Sequence, residues 1–313
     1  MTNIVGLIVK KIVPNMEEPT ATAHRDPAEE PTPQCSVISI YRAMVRGVPR
    51  NVTVVWTKNL MNHSLSVSID KSNGESPLTC KVDLKPWPFW SKLKGSKSFD
   101  DDSERLDVFW NLRSAKFSDG PEPLENYYVA LVCGEEVVML LGDLKKKAYR
   151  KTRSRPSLED VTLLSKKENV FGKKCFSSRV KFDDRKKEHD IIVVNSISGH
   201  KDPEMWISID GIVLIHVSNL QWKFRGNETV WVEQVPVQVF WDVHGWLFRG
   251  PGSGHALFIF KPGLPASAAA GNRGSSGKPT SSRRNNSESS LVSSCGGGGS
   301  QEFCFFLYAW RMD

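Results

Sequence analysis

The chain has 313 residues, 39% of them apolar and 10% aromatic, with a net charge of +7 and a pI near 9.0. That composition supports a sizeable core and excludes a wholly disordered chain. The basic balance permits contact with nucleic acid or an anionic surface without demonstrating it. No stretch approaches the roughly 18 consecutive apolar residues that a spanning helix needs.

Residues 14–34 are rich in Pro, Glu and Thr and lack periodicity, so 1–33 is expected to be a disordered N-terminal arm. From Cys35 the pattern changes to short alternating runs. Ser36–Val45, Val52–Trp56, Leu65–Ile69 and Leu78–Leu84 read as strands, with Leu65, Val67 and Ile69 inward and serines outward. Pro86 and Pro88 put Trp87 and Trp90 on an edge or a bulge. Ser98–Arg105 reads as an acidic loop. Leu106–Lys116 reads as a strand with Val108, Trp110 and Leu112 on one face. Tyr127–Cys133 and Val137–Leu141 form a hairpin. Asp143 is then the expected N-cap of a helix, Leu144–Thr152, that stops before Pro156. Val161–Ser165, Phe171–Phe182, Ile191–Val194, Trp206–Ile209, Ile212–Val217, Gln221–Phe224 and Val230–Val232 continue as strands. Asp210-Gly211 is a tight-hairpin signal.

Several motifs recur in the same order. Ser68-Ile69-Asp70 returns as Ser208-Ile209-Asp210. Val82, Trp87 and Phe89 share their spacing with Val217, Trp222 and Phe224. Val108-Phe109-Trp110-Asn111 returns as Val239-Phe240-Trp241-Asp242. Such self-similarity predicts a duplicated unit. In the second copy a Pro, Ala, Gly and Ser stretch follows Ala256–Phe260, and only then comes Phe303–Trp310. We read 264–300 as a disordered insertion in a hairpin loop, where each doubling of length costs only about 0.6 kcal/mol. The expected fold is all-β: two similar antiparallel meanders, barrel- or sandwich-like, from an internal duplication and joined by one short helix. The units are 34–143 and 161–313, with the basic helix and linker at 144–160.

The stretch Glu125–Thr152, containing YYVALVCGEEVVMLLGDLKKKAYRKT, resembles a plant family of unknown function, DUF868. So do FGKKCFSSRVKF at 171–182, RNVTVVWTKNLMNHSLSVSID at 50–70 and the closing FCFFLYAW. The resemblance runs in order through 34–313. It implies a plant protein, and it brings no activity, ligand or catalytic residue.

The residues themselves offer few chemical signatures. There is no P-loop, G-x-S-x-G elbow or H-E-x-x-H. The seven histidines and six cysteines show no metal-site spacing. No metal or cofactor is therefore expected, His216 reads as a hydrogen-bonded core histidine, and the cysteines read as reduced, mostly buried thiols. Trp56, Trp110, Trp206 and Trp241 fit inward faces. Trp87, Trp90, Trp222 and Trp246 are candidates to line a cavity or form a stacking platform. Asp70, Asp210 and Asp242 are the only carboxylates placed to suggest acid–base work, such as carbohydrate hydrolysis. Lys145, Lys146, Lys147, Arg150 and Lys151 crowd one helix and are candidates for binding RNA or an anionic surface, with Ala148 as the inward contact. With no secretory pattern at the start, the sequence reads as intracellular, leaving the sequons at Asn51, Asn62, Asn227 and Asn285 unused. The leading expectation is a non-enzymatic binding or interaction protein whose partner is a small ligand or another protein.

Overall fold

The computed structural model describes residues 35–59, 62–71, 75–84, 93–101, 104–182, 187–197, 202–249, 253–263 and 303–312. The arm 1–33, the insertion 264–300, Trp87 and Trp90 lie outside the described residues. The fold is all-β, made of open, mainly antiparallel sheets and not of a closed barrel. The chain packs as two compact units that meet in sequence between Asn169 and Val170.

The first unit opens with β1 (Cys35–Val45), β2 (Val48–Lys58), β3 (His63–Ile69) and β4 (Leu78–Leu84). β1 turns into β2 on Arg46 and Gly47, both with positive φ, the geometry that matches strand twist in a two-residue hairpin. Then come β5 (Lys94–Asp101), β6 (Glu104–Asn111), the short pair β7 (Lys116–Phe117) and β8 (Pro123–Glu125), β9 (Tyr128–Cys133) and β10 (Glu136–Leu141). Helix α1 (Lys145–Thr152), β11 (Arg155–Pro156) and β12 (Thr162–Gly172), whose last three residues belong to the second unit, complete it. One sheet runs β12-β1-β2-β3-β4 and the other β11-β10-β9-β6-β5. Val54, Trp56, Leu65, Val67 and Val82 face Leu106, Val108, Trp110, Val129 and Leu131 across one core. Alternating sequences thus give a two-sheet sandwich. β9 is the exception, buried on both faces, and its unbroken apolar run YVALVC reflects this. Its outer residues Tyr128, Ala130 and Val132 are covered by Ala148, Leu144 and Tyr149 of the helical segment.

The second unit holds β13 (Cys175–Val180), β14 (His189–Asn195), β15 (Met205–Ile209) and β16 (Ile212–Val217) in one sheet. Its other sheet contains β17 (Arg225–Val232), β18 (Val235–Asp242), β19 (His255–Pro262) and β20 (Cys304–Arg311), with a short helix α2 (His244–Phe248) between β18 and β19. Phe176, Ile191, Val193 and Ile207 meet Val237, Val239, Phe258, Phe305 and Leu307 around Trp246. β20 pairs with β19 from His255↔Trp310 to Phe260↔Phe305, as the sequence predicts.

The connectivities match. β1–β4 correspond in order to β13–β16, and β5, β6, β9 and β10 to β17–β20. Details match too. Gly95 faces Trp110 as Gly226 faces Trp241. Leu112 N–H donates to Leu93 O as Val243 N–H donates to Phe224 O, and Asp70 N–H donates to Asn51 O as Asp210 N–H donates to Asp190 O.

Some local expectations fail for identifiable reasons. The expected acidic loop 98–105 is largely the β5–β6 hairpin, paired from Lys94↔Asn111 to Asp101↔Glu104. Val161–Ser165 and the start of Phe171–Phe182 belong to one strand, β12, which passes straight through Lys166-Lys167-Glu168. Lys166 Nζ meets Glu168 of the same strand at 2.8 Å and Glu122, outside it, at 3.4 Å, so its charge is paired. Gln221–Phe224 is a turn, with Trp222 N–H donating to Asn219 O. Asp143 does not cap α1, because its Oδ1 accepts from Tyr127 N–H at 3.1 Å. His216 is exposed, not core; it stacks on Trp206 at 5.1 Å, and its Nε2 bonds Glu204 at 2.9 Å.

Candidate functional site

Two clusters and one exposed aromatic stand out once the fold is set. The first cluster is the solvent face of α1. Ala148 is fully buried, as expected, and anchors the helix to the sheet with Leu144 and Tyr149. Consecutive helical positions lie about 100° apart, so Lys145, Lys146, Lys147, Arg150 and Lys151 fan across the opposite side, and all five are exposed. None of the five pairs with a carboxylate among the described residues. The nearby acid is turned elsewhere, since Asp143 is bonded to Tyr127.

The helix dipole sharpens this contrast. Arg150 and Lys151 in the last turn suit its negative end. Lys145–Lys147 sit at its positive end, with no acidic residue in the first turn. Each charge so placed is unfavourable by roughly 0.3–1 kcal/mol at low salt. The positive surface does not extend through Lys166, which its two glutamates neutralise, nor through Arg155, whose guanidinium meets Glu136 at 2.7 Å.

The second cluster lies at a corner of the second unit. His189 opens β14, Asp210 is the left-handed turn residue between β15 and β16, and Glu233 is the left-handed turn residue between β17 and β18. The β14–β15 register joins His189 and Asp210, the packing of the other sheet brings in the turn of Glu233, and the three ligand atoms lie within 4.8 Å of one another. His189 is 3% exposed, lies against the Phe182 ring at 5.5 Å, and donates from Nδ1 to Asp210 Oδ2 at 2.9 Å. Asp190 N–H donates to Asp210 Oδ1 at 3.0 Å, and Lys187 Nζ lies 3.6 Å from Oδ2. Burial by itself would raise the Asp210 carboxyl. The hydrogen bonds from Asp190 and His189 and the positive charges beside it outweigh that and hold it below the usual carboxylate range. The sequence signalled Asp210 by its recurrence after Asp70. His189 and Glu233 carried no signal, because only the packing of one sheet on the other joins them.

The remaining candidates separate. Trp246 is 1% exposed, and its Nε1–H donates to Ala309 O at 2.8 Å, so it is core and not a ligand platform. Its ring stacks on Phe176 at 5.0 Å. Trp222 is 82% exposed, in the turn before Phe224, which packs edge-on to Phe248 at 5.7 Å. Asp242 uses both carboxylate oxygens, one on Arg225 Nε at 2.7 Å and one on His244 N–H at 3.0 Å. It ends β18, while Glu233, beside Asp210, precedes the start of that strand. At the usual rise, the eight-residue strand separates the two by more than about 20 Å. That exceeds the roughly 5–10 Å that glycoside hydrolysis requires.

A family model described as "Plant protein of unknown function (DUF868)" matches residues 32–311. The chain therefore belongs to the DUF868 family. No curated protein and no solved structure matches it. No helix among the described residues is long and apolar enough to cross a membrane.

Proposed function

We propose that this chain is a non-enzymatic binding protein that docks on a phosphate-bearing polyanion through α1. The observation that carries the reading is the set of five exposed cations on one anchored helix, none matched by a carboxylate among the described residues. Rigid, unneutralised charge on a helix packed against a sheet is suited to counterion-release binding, where each phosphate contact frees a condensed ion. The sandwich interiors favour this surface reading over an interior ligand, because Trp56, Trp246, Phe176 and Phe258 fill the space between the sheets. We place the protein in a reducing, intracellular compartment. No disulfide joins the five described cysteines, and Cys80, Cys133 and Cys304 are buried. The matched connectivity and the matched Gly–Trp pairs support an origin by internal duplication.

A titration against single-stranded RNA and against vesicles of anionic phospholipid tests the reading. Binding to either at low salt, lost on charge reversal of Lys145, Lys147 and Lys151, is the expected outcome. Preference between the two arms identifies the source of the phosphate. Absence of binding in both leaves α1 as a solvated face.

A further inference from the structure

We propose that His189, Asp210 and Glu233 form a binding site for a divalent transition-metal ion, zinc foremost. The inference stands apart from α1 and does not depend on polyanion binding. One imidazole and two carboxylates are a borderline-hard N,O,O set, and three protein ligands plus water are a common zinc arrangement. The three donors already lie within 4.8 Å of one another. Tetrahedral zinc at about 2.1 Å from each donor would place them roughly 3.4 Å apart. Closing the remaining gap falls to Glu233, which sits in an exposed turn.

The surroundings orient the set. Phe182 fixes the imidazole plane, and Asp190 N–H occupies Asp210 Oδ1, so that Oδ2 is directed at His189. Such outer contacts fix ligand geometry around metals. Binding would exchange the Nδ1 proton for the ion. The imidazole would keep its other proton on Nε2 or take one there, and any surplus proton would pass to solvent. Lys187, exposed and 3.6 Å from Oδ2, would swing away as the ion arrives.

The first unit provides an internal comparison. Asp70 N–H bonds Asn51 O as Asp210 N–H bonds Asp190 O, so register puts Arg50 where the second unit has His189. Arg50 is also buried, at 8% exposure. The first unit thus builds a permanent cation into this corner. The second builds in an imidazole, a metal-ligating donor that a guanidinium cannot be, and sets two carboxylates beside it, the make-up of a metal site.

The test is calorimetric titration of zinc chloride into the full chain in chelator-free buffer, with a parallel cobalt(II) absorption spectrum. We expect one equivalent bound with micromolar affinity, a raised Tm, and a cobalt spectrum without the near-ultraviolet band of thiolate ligation. Glu233→Gln, in an exposed turn, should keep a cooperative melt without metal and weaken binding by at least about tenfold. His189→Gln should do the same, and if that variant does not fold, Glu233→Gln carries the test alone. No binding up to millimolar zinc, full affinity in Glu233→Gln, or a thiolate band pointing to the cysteines would each overturn the assignment.

Discussion

Gly226 lies directly opposite Trp241 in the β17–β18 ladder, and a Cβ added at that glycine would stand 2.3 Å from Cζ2 of the indole ring. Trp241 is held there by its Nε1–H, which donates to Lys223 O at 3.1 Å. The ring covers the glycine, and the glycine leaves room for the ring, a pairing that offsets the weakness of glycine in a strand. Gly95 and Trp110 repeat the arrangement, with the added Cβ 2.7 Å from Cζ2. Gly226→Ala and Gly95→Ala should each destabilise the protein by about 1–3 kcal/mol, the usual cost of overpacking. Urea denaturation measures this. Neutral or stabilising substitutions would show that the tryptophans are free to move aside.

Two aromatic residues of the second unit should behave in opposite ways. Phe305 is fully buried in β20, between the two sheets. Phe305→Ala should cost about 3–5 kcal/mol. Trp222→Ala should stay within about 0.5 kcal/mol, because an exposed side chain has little packing to lose. Thermal melts of the two variants side by side separate a core strand from a free surface aromatic.

His63 gives the fold a pH dependence. Burial, and then the charge of Lys58 across the β2–β3 ladder, hold its imidazole below the ordinary histidine range. Its ring packs edge-on to Phe117 at 4.5 Å. The unfolded chain therefore binds a proton before the folded chain does. Its contribution to stability is complete above the unfolded value near pH 6.5 and is lost as pH falls through the folded value. In His63→Gln the decline in stability just below pH 6.5 should be shallower than in wild type. Parallel curves for the two proteins would remove the effect from His63.

Much of the architecture could be read from the residues. Leu78–Leu84 is β4 to the residue, the Asp210-Gly211 turn stands where its positive-φ chemistry predicts, and Ala148 is the inward contact of α1. These succeed because local pattern and tertiary burial agree. β12 was hidden because Lys166-Lys167-Glu168 breaks its apolar alternation, and the pairing of Lys166 with Glu122 depends on the fold. β5 was hidden because it is a polar edge strand. The corner of His189, Asp210 and Glu233 was only one-third visible, since the three residues lie on three different hairpins and no sequence spacing joins them. The lysines of α1 were legible as a basic run. Their lack of carboxylate partners was not, because Arg155 and Lys166, equally basic in sequence, are both paired.

The most direct test of the polyanion reading is the salt dependence of RNA binding by the intact chain, measured by fluorescence anisotropy from low to physiological ionic strength. If the five cations of α1 engage phosphates, log K should fall with log salt at a slope between about −2 and −3.5, since single strands release about 0.7 ion per contact. Reversing Lys145, Lys147 and Lys151 to Glu should abolish binding and leave the Tm unchanged, because all three are exposed and unpaired among the described residues. Undiminished binding by that variant, or none by wild type on RNA and anionic vesicles at low salt, would contradict it.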